Sequence, residues 1–315
     1  MERCDFLPVS AEEMHERGWW WYDALVVGGD AYVDHPSFGT AVISRVLEAE
    51  GLRVAVLAQP DWHDAEAFRA MGRPRLGVFI GAGNLDSMVA HYTAAKRRRS
   101  EDFYSPGKRS GCRPDRAAIV YCNRAREAFG SDMPIILGSL EASLRRFAHY
   151  DYWDDSVRRA ILFDAPADLL VYGMGEAATI EIAHRLKKKQ SVRTMTDIPG
   201  TGYITRDPSV CKFDHITLPS FEDVRDDKRL YAEATRTEYA EHDPIRGRAM
   251  IQPCEGRYLI INPPAMPLDT KELDRVAELP YTREWHPMYE PLGGVPAIEE
   301  VRFSVIHNRG CFGGC

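Results

Sequence analysis

Short apolar runs that end in glycine or a small polar residue alternate with longer amphipathic stretches through the first half of the chain. Residues 23–28, 53–58, 76–80, 134–137 and 168–172 are such runs, each short and continuously apolar as a strand buried on both faces must be. Between the first two, Val42, Ile43, Val46, Leu47 and Ala49 recur at helical spacing over 39–50, and Gly51 marks the end of that helix. Further helices are expected from Pro114 or Asp115 to Phe129, from Leu140, and over 177–188. Strands spaced for crossover helices predict an α/β fold with a doubly wound, Rossmann-like parallel sheet. Ahead of it, Ser10-Ala11-Glu12-Glu13 reads as a capping box opening a short helix. The run Trp19-Trp20-Trp21-Tyr22 is expected to pack that helix onto the sheet.

The pattern changes after Lys189. Residues 194–214 are polar and read as a loop or short hairpin. Residues 221–241 form a charged, helix-prone stretch with one narrow apolar face, at Val224, Leu230, Tyr231 and Ala234. A strand over 258–262 stops at Pro263-Pro264, and a capped helix follows over 268–279, with Asp269 or Thr270 as its cap. Pro280, Pro287, Pro291 and Pro296 then make an extended linker to an apolar, strand-like run at 301–306. The expected organisation is a Rossmann-like domain over 1–190, an irregular α+β connector over 191–298, and a strand and loop over 299–315.

At 315 residues and 44% hydrophobic composition the chain is long enough for a substantial core. No apolar run approaches the roughly 20 residues that span a bilayer, and the N-terminus lacks the basic-then-apolar order of a signal peptide. No membrane partner is expected. Seven scattered cysteines (Cys4, Cys112, Cys122, Cys211, Cys254, Cys311 and Cys315) suggest reduced thiols in a cytoplasm. The net charge of −7 conceals a segment of +6 between Lys96 and Glu127, so the remainder carries −13. That segment is either a solvated surface paired with the acidic remainder or a face for phosphates or nucleic acid.

Two features carry candidate chemistry. In open α/β sheets ligands sit beyond the carboxyl ends of the strands, where strand order reverses. The glycine-bearing turns fall there, making Gly29, Asp30, Asp34, His35, Gly83, Gly138, Glu141, Gly175 and Glu176 the candidate crevice. Gly28-Gly29-Asp30 lacks the G-x-G-x-x-G spacing of a dinucleotide site. His35, Asp34 and Glu141 make no nucleophile-and-base arrangement. At the other end, Cys311 and Cys315 are spaced C-x3-C in a glycine-rich turn. They are either two ordinary thiols or the first two ligands of a C-x3-C-x2-C site. In such a site three thiolates each hold one iron of a 4Fe-4S cluster, and the fourth iron stays open. Glycines Gly313 and Gly314 allow the backbone to wrap closely around it.

Several longer strings resemble the YgiQ-type radical SAM proteins. They are Gly29-Asp30-Ala31-Tyr32-Val33-Asp34-His35-Pro36-Ser37-Phe38-Gly39, Ala58-Gln59-Pro60-Asp61-Trp62 and Gly83-Asn84-Leu85-Asp86-Ser87-Met88. Then come Glu141-Ala142-Ser143-Leu144-Arg145-Arg146, His149-Tyr150-Asp151-Tyr152-Trp153, Ile261-Asn262-Pro263-Pro264-Ala265, and Arg309-Gly310-Cys311-Phe312-Gly313-Gly314-Cys315. The resemblance implies the N-terminal portion of a longer enzyme, ending inside the cluster motif where a radical SAM barrel begins. It implies a 4Fe-4S cluster on Cys311, Cys315 and a third cysteine, with Phe312, Gly313 and Gly314 against it. It also implies S-adenosylmethionine cleaved reductively by that cluster, an electron donor such as flavodoxin or ferredoxin, and a substrate that the family does not specify. The turn Gly173-Met174-Gly175-Glu176 is similar to the Gly-x-Gly-Glu turn of cobalamin-binding-like domains. Asp34-His35-Pro36-Ser37-Phe38-Gly39 departs from their D-x-H-x-x-G pattern, with the histidine one place early, which argues against cobalamin. The alternative function is a stand-alone α/β binding module that recognises a phosphate-bearing ligand or nucleic acid through residues 96–126.

Overall fold

A computed structural model describes residues 5–305 and 309. The cysteine loop, with Cys311, Phe312, Gly313, Gly314 and Cys315, lies outside the described residues, as does Ile306. The first part of the chain runs α1 (Ala11–Glu16), β1 (Ala24–Gly28), α2 (Gly39–Ala49), β2 (Val54–Ala58), α3 (Glu66–Arg69), β3 (Gly77–Ile80), α4 (Ser87–His91), α5 (Ala117–Phe129), β4 (Ile135–Leu137) and α6 (Ser139–Leu144). A small hairpin, β5 (His149–Asp151) and β6 (Ser156–Arg158), precedes β7 (Leu169–Val171) and α7 (Glu176–Lys187). The remainder adds β8 (Thr201–Thr205), β9 (His215–Thr217), α8 (Phe221–Asp226), α9 (Lys228–Ala240), β10 (Ala249–Cys254), β11 (Arg257–Ile261), α10 (Thr270–Ala277) and α11 (Ile298–Val301).

The five apolar runs become β1, β2, β3, β4 and β7, all parallel, in the spatial order β2-β1-β3-β4-β7. Their side chains alternate between two cores, which is why the runs are apolar throughout. Ala24 and Val26 of β1 join α2 and α7 on one face, whereas Leu25 and Val27 join α3 and α5 on the other. Apolar residues on one side of α2, among them Ala41, Val42, Val46 and Leu47, are buried against this sheet.

The second half departs from the sequence expectation. Beyond β7 the sheet continues through β8, β11, β10 and β9 into one nine-stranded sheet, mixed but mostly parallel. β8 and β11 run antiparallel to their neighbours, and β9 lies parallel to β10. The stretch expected as a loop or hairpin therefore contains a sheet strand, Thr201–Thr205. Its sequence hides this because two of its buried positions are Thr201 and Gly202, not large apolar residues. A Cβ on Gly202 would lie 2.4 Å from Ile261 Cδ1, so the small residue permits close pairing with β11. The run 301–306 is also not a strand where it is described. Val301 closes α11, whose first turn follows Pro296, and a turn leads to Val305.

Local signals elsewhere carry through with changes of detail. Ser10 Oγ accepts from Glu13 N and caps α1, but Glu13 reaches back to Val9 N, one residue before the cap. Tyr22 is buried, Trp19 packs on the core, and Trp21 lies under Arg53 and Arg75 at 3.9 and 3.5 Å. Trp20 is 79% exposed and takes no part in the core. Asp269 caps α10 with a reciprocal bond from Glu272. No described helix is long and apolar enough to cross a membrane.

The proline-rich segment is not a free linker. It lies along the Asp30–His35 string: Asp34 N donates to Glu284 O, Arg283 N to Asp34 O, and His286 N to Tyr32 O. Tyr289 Oη accepts from Tyr32 N at 3.0 Å. This strap holds the loop after β1 from outside, while Gly29 fits against the loop after β3. A Cβ on Gly29 would sit 1.9 Å from Ala82 O, a backbone atom that cannot yield cheaply. Gly29→Ala is therefore expected to destabilise the protein by about 1–3 kcal/mol or more in urea unfolding. Gly39→Ala, where an added Cβ meets nothing within 4 Å, should change stability by less than about 0.5 kcal/mol. Equal effects of the two would contradict this packing.

Candidate functional site

At the carboxyl ends of the parallel strands, between the starts of α2 and α7, lies a crevice of about 350 Å³. Strand order reverses between β1 and β3 at this edge, which is where such sheets leave room for a ligand. Its walls are mostly apolar: Val26, Phe79, Ile136 and Val171 from the strands, Ile43 from α2, and Met174 from the turn before α7. Thr40, Ser139, Thr179 and Glu176 supply polar groups.

Of the residues singled out from sequence, Gly83, Gly138, Gly175 and Glu176 line this crevice. Gly83 adopts φ +114° with Asp30 packed where a side chain would be, so no other residue fits there. Glu176 opens α7 and is 4% exposed. One carboxylate oxygen, Oε1, is paired with Arg309. The other, Oε2, is buried with no hydrogen-bond partner among the described residues.

The remaining singled-out residues sit behind the crevice walls. Asp30 accepts from Arg113 (2.6 Å) and from Asn84 N, and Arg113 also reaches Asp102 at 2.7 Å. Burial pushes Asp30 upward and the Arg113 cation opposes it. Asn84 links the loops further, accepting from Gly39 N and donating to Ser37 O. Asp34 is fully buried and forms a two-pronged pair with Arg45, at 3.2 and 2.5 Å, while accepting from Thr282 N in the strap. Burial alone would lower the Arg45 pKa, but the Asp34 carboxylate more than offsets it and the pKa rises. Glu141 accepts from Ser87 N and Ala118 N, neutralising the starts of α4 and α5. Its pKa is raised by burial and then by the nearby Asp86 charge.

His35 is buried, and its Nδ1 accepts from Ser37 N. Burial, then the Arg283 cation, hold it below the usual histidine range. It does not line the crevice, and a ring in this position does not fit the role of a lower cobalt ligand for a corrin held there. Among the described residues, no group of three or more His, Cys, Asp and Glu is placed to hold a metal ion.

The basic segment divides. Arg113 is buried between two aspartates; Arg116 pairs with Asp151 and Asp154; Arg124 pairs with Glu127; Arg126 binds Asp168 and three backbone carbonyls. Lys96, Arg97, Arg98, Arg99, Lys108 and Arg109 remain exposed. Beside the first four, Tyr92, Trp153 and Tyr152 form a chain of ring contacts at 5.3 Å, and the Lys96 ammonium lies 4.8 Å from the Tyr152 ring.

Sequence reasoning passed over the apolar lining. Val26, Phe79, Ile136 and Val171 all belong to the core on the α2 and α7 face. Their common position near the strand ends was a usable period-two signal.

The nine-stranded sheet, its switch-point crevice and the strap together define an α/β domain. The chain belongs to the Radical SAM N-terminal family, whose model matches residues 6–304. It is 54% identical over 315 residues to a UPF0313 protein of Clostridium botulinum, covering all of this chain and 49% of that protein. It is 52% identical to a UPF0313 protein of Clostridium perfringens, covering all of this chain and 47% of that protein. The chain thus spans about half the length of these curated relatives, in accord with the resemblance to YgiQ-type proteins. A solved radical S-adenosylmethionine methyltransferase, TsrM from Kitasatospora setae, aligns with a TM-score of 0.38 and 20% identity, over 57% of this chain and 28% of that one.

The Asp34–Arg45 pair ties β1, α2 and the strap together, so its loss has a defined cost. Asp34→Ala strips the buried Arg45 guanidinium of its buried counter-charge, leaving it only Glu48 and Asp5 O, and is expected to cost about 3 kcal/mol in urea unfolding. Asp34→Leu combined with Arg45→Met removes both charges and should recover much of that loss. No loss in the single variant would show that the pair does not anchor the strap.

Proposed function

We propose that the chain is the N-terminal half of a radical SAM enzyme, with a Rossmann-like domain whose crevice binds a ligand beside the cluster loop. The observation that carries this reading is the family match over residues 6–304, followed at once by Cys311 and Cys315 in C-x3-C spacing. The cluster would be held by these two thiolates and a third cysteine, with Phe312, Gly313 and Gly314 around it and an electron donor such as flavodoxin or ferredoxin supplying the electron. When bound, the cluster and S-adenosylmethionine supply reductive cleavage of a sulfonium carbon–sulfur bond. The chain's own contribution is placement. Arg309, two residues before Cys311, pairs with Glu176 at the crevice, so the approach to the cluster loop is fastened to the ligand-bearing edge of the sheet. The apolar walls exclude water from that edge.

The test is anaerobic reconstitution of the full-length protein with iron and sulfide, followed by reduction and detection of methionine and 5′-deoxyadenosine. Cys311→Ala and Cys315→Ala should each abolish both the cluster signal and the cleavage products. Cleavage that survives either substitution would overturn the reading.

A second reading is favoured by one surface. The four exposed cations Lys96, Arg97, Arg98 and Arg99, beside Tyr92, Tyr152 and Trp153, combine positive charge with stacking groups, as single-stranded nucleic-acid sites do. If single-stranded RNA binds there, the slope of log affinity against log salt concentration should be negative and no steeper than about −3, from about −0.7 for each phosphate neutralised. Affinity that is indifferent to salt would exclude this surface.

A further inference from the structure

We infer that the crevice takes a flat, largely apolar molecule that presents a neutral N–H donor, such as a lactam, an imide or an N–H heterocycle, to Glu176 Oε2. This rests on the crevice being the ligand site of the reading above and names the class of ligand it accepts.

Four observations on this site lead there. The walls contributed by Val26, Phe79, Ile136, Val171 and Met174 favour an apolar body over a sugar or a phosphate. Gly138 adds no bulk: a Cβ there would meet only Val171 O, at 3.6 Å, and its absence leaves a slot for a flat ring. Glu176 is 4% exposed and its Oε2 is a buried acceptor without a partner among the described residues. An unmet charged acceptor of this kind is costly, and a ligand donor satisfies it.

The last observation is the balance of charge, which selects the donor. Helix starts ordinarily attract anions. Here Glu176 already occupies the start of α7, and Gly39 N at the start of α2 is bonded to Asn84 Oδ1. A phosphate or carboxylate would meet the Glu176 charge at close range. A cationic ligand would meet Arg309, which already neutralises Glu176 through Oε1. A neutral N–H avoids both repulsions and makes a charge-assisted hydrogen bond.

The probes are 2-quinolone, a neutral bicyclic lactam, and N-methyl-2-quinolone, which differs in lacking the donor. Both are titrated into the intact full-length protein by calorimetry, with S-adenosylmethionine cleavage measured on the same preparation. 2-Quinolone is expected to bind at least about tenfold more tightly than its N-methyl derivative, the smallest ratio expected for a hydrogen bond to a charged group. Glu176→Leu should abolish that preference, and Gly138→Leu should weaken both probes by filling the slot. No binding of 2-quinolone, equal binding of the two probes, or a preference that survives Glu176→Leu would each overturn the inference. The ratio on the unaltered protein decides the matter even if a variant does not fold. Cleavage without quinolone binding sinks the ligand class and leaves the enzyme reading. Selective, Glu176-dependent binding without cleavage does the reverse.

Discussion

A carboxylate and a guanidinium shut away from water must satisfy each other, and the Asp34–Arg45 pair puts that requirement at the junction of three segments. Asp34 belongs to the loop after β1, Arg45 to α2, and Thr282 N, the third partner, to the strap. Arg45 also donates to Glu48 and to Asp5 O, so the N-terminal segment is drawn into the same junction. Pairs of this kind contribute less to net stability than to choosing one arrangement over others, because each partner is costly when alone. In this molecule the arrangement chosen fixes the loop after β1, one wall of the crevice and the course of the chain toward residue 309.

A second buried ion group, Asp30 with Arg113 and Asp102, acts behind the loop after β3. The two groups leave the crevice itself nearly free of charge, because the acidic residues of the Gly29–Gly39 string point into the protein. Glu176 and its partner Arg309 are the exceptions. The Glu176 carboxylate has one oxygen engaged by Arg309 and one without a partner among the described residues, which separates it physically from Asp30, Asp34 and Glu141.

The parallel half of the sheet was legible because strands buried on both faces must be apolar at every position. The runs at 23–28, 53–58, 76–80, 134–137 and 168–172 each contain a strand within one or two residues of the expected bounds. Gly175 and Glu176 stood out as a turn, and they do line the crevice. The antiparallel half was less legible. Thr201 and Gly202 are buried for close strand pairing, and their polarity and size resemble those of a loop. The acidic string after β1 read as a polar pocket because two of its partners, Arg113 and the strap, are distant in sequence, and Arg45 lies on a separate element. Single-sequence patterns carry periodicity, whereas a buried ion pair is known only once both partners are placed. For the same reason Arg113, Arg116, Arg124 and Arg126 counted toward a basic surface although most of their charge is spent internally.

The bond from Tyr32 N to Tyr289 Oη closes a loop of 257 residues. Contacts that far apart form late, since the intervening chain must be ordered before they return any free energy. During synthesis the parallel sheet can assemble as its strands emerge, but the strap cannot dock until the second half of the sheet has left the ribosome. The loop after β1 is therefore the last wall of the crevice to be secured. Seating of the strap is thus the step that turns a sheet with an open edge loop into a finished crevice.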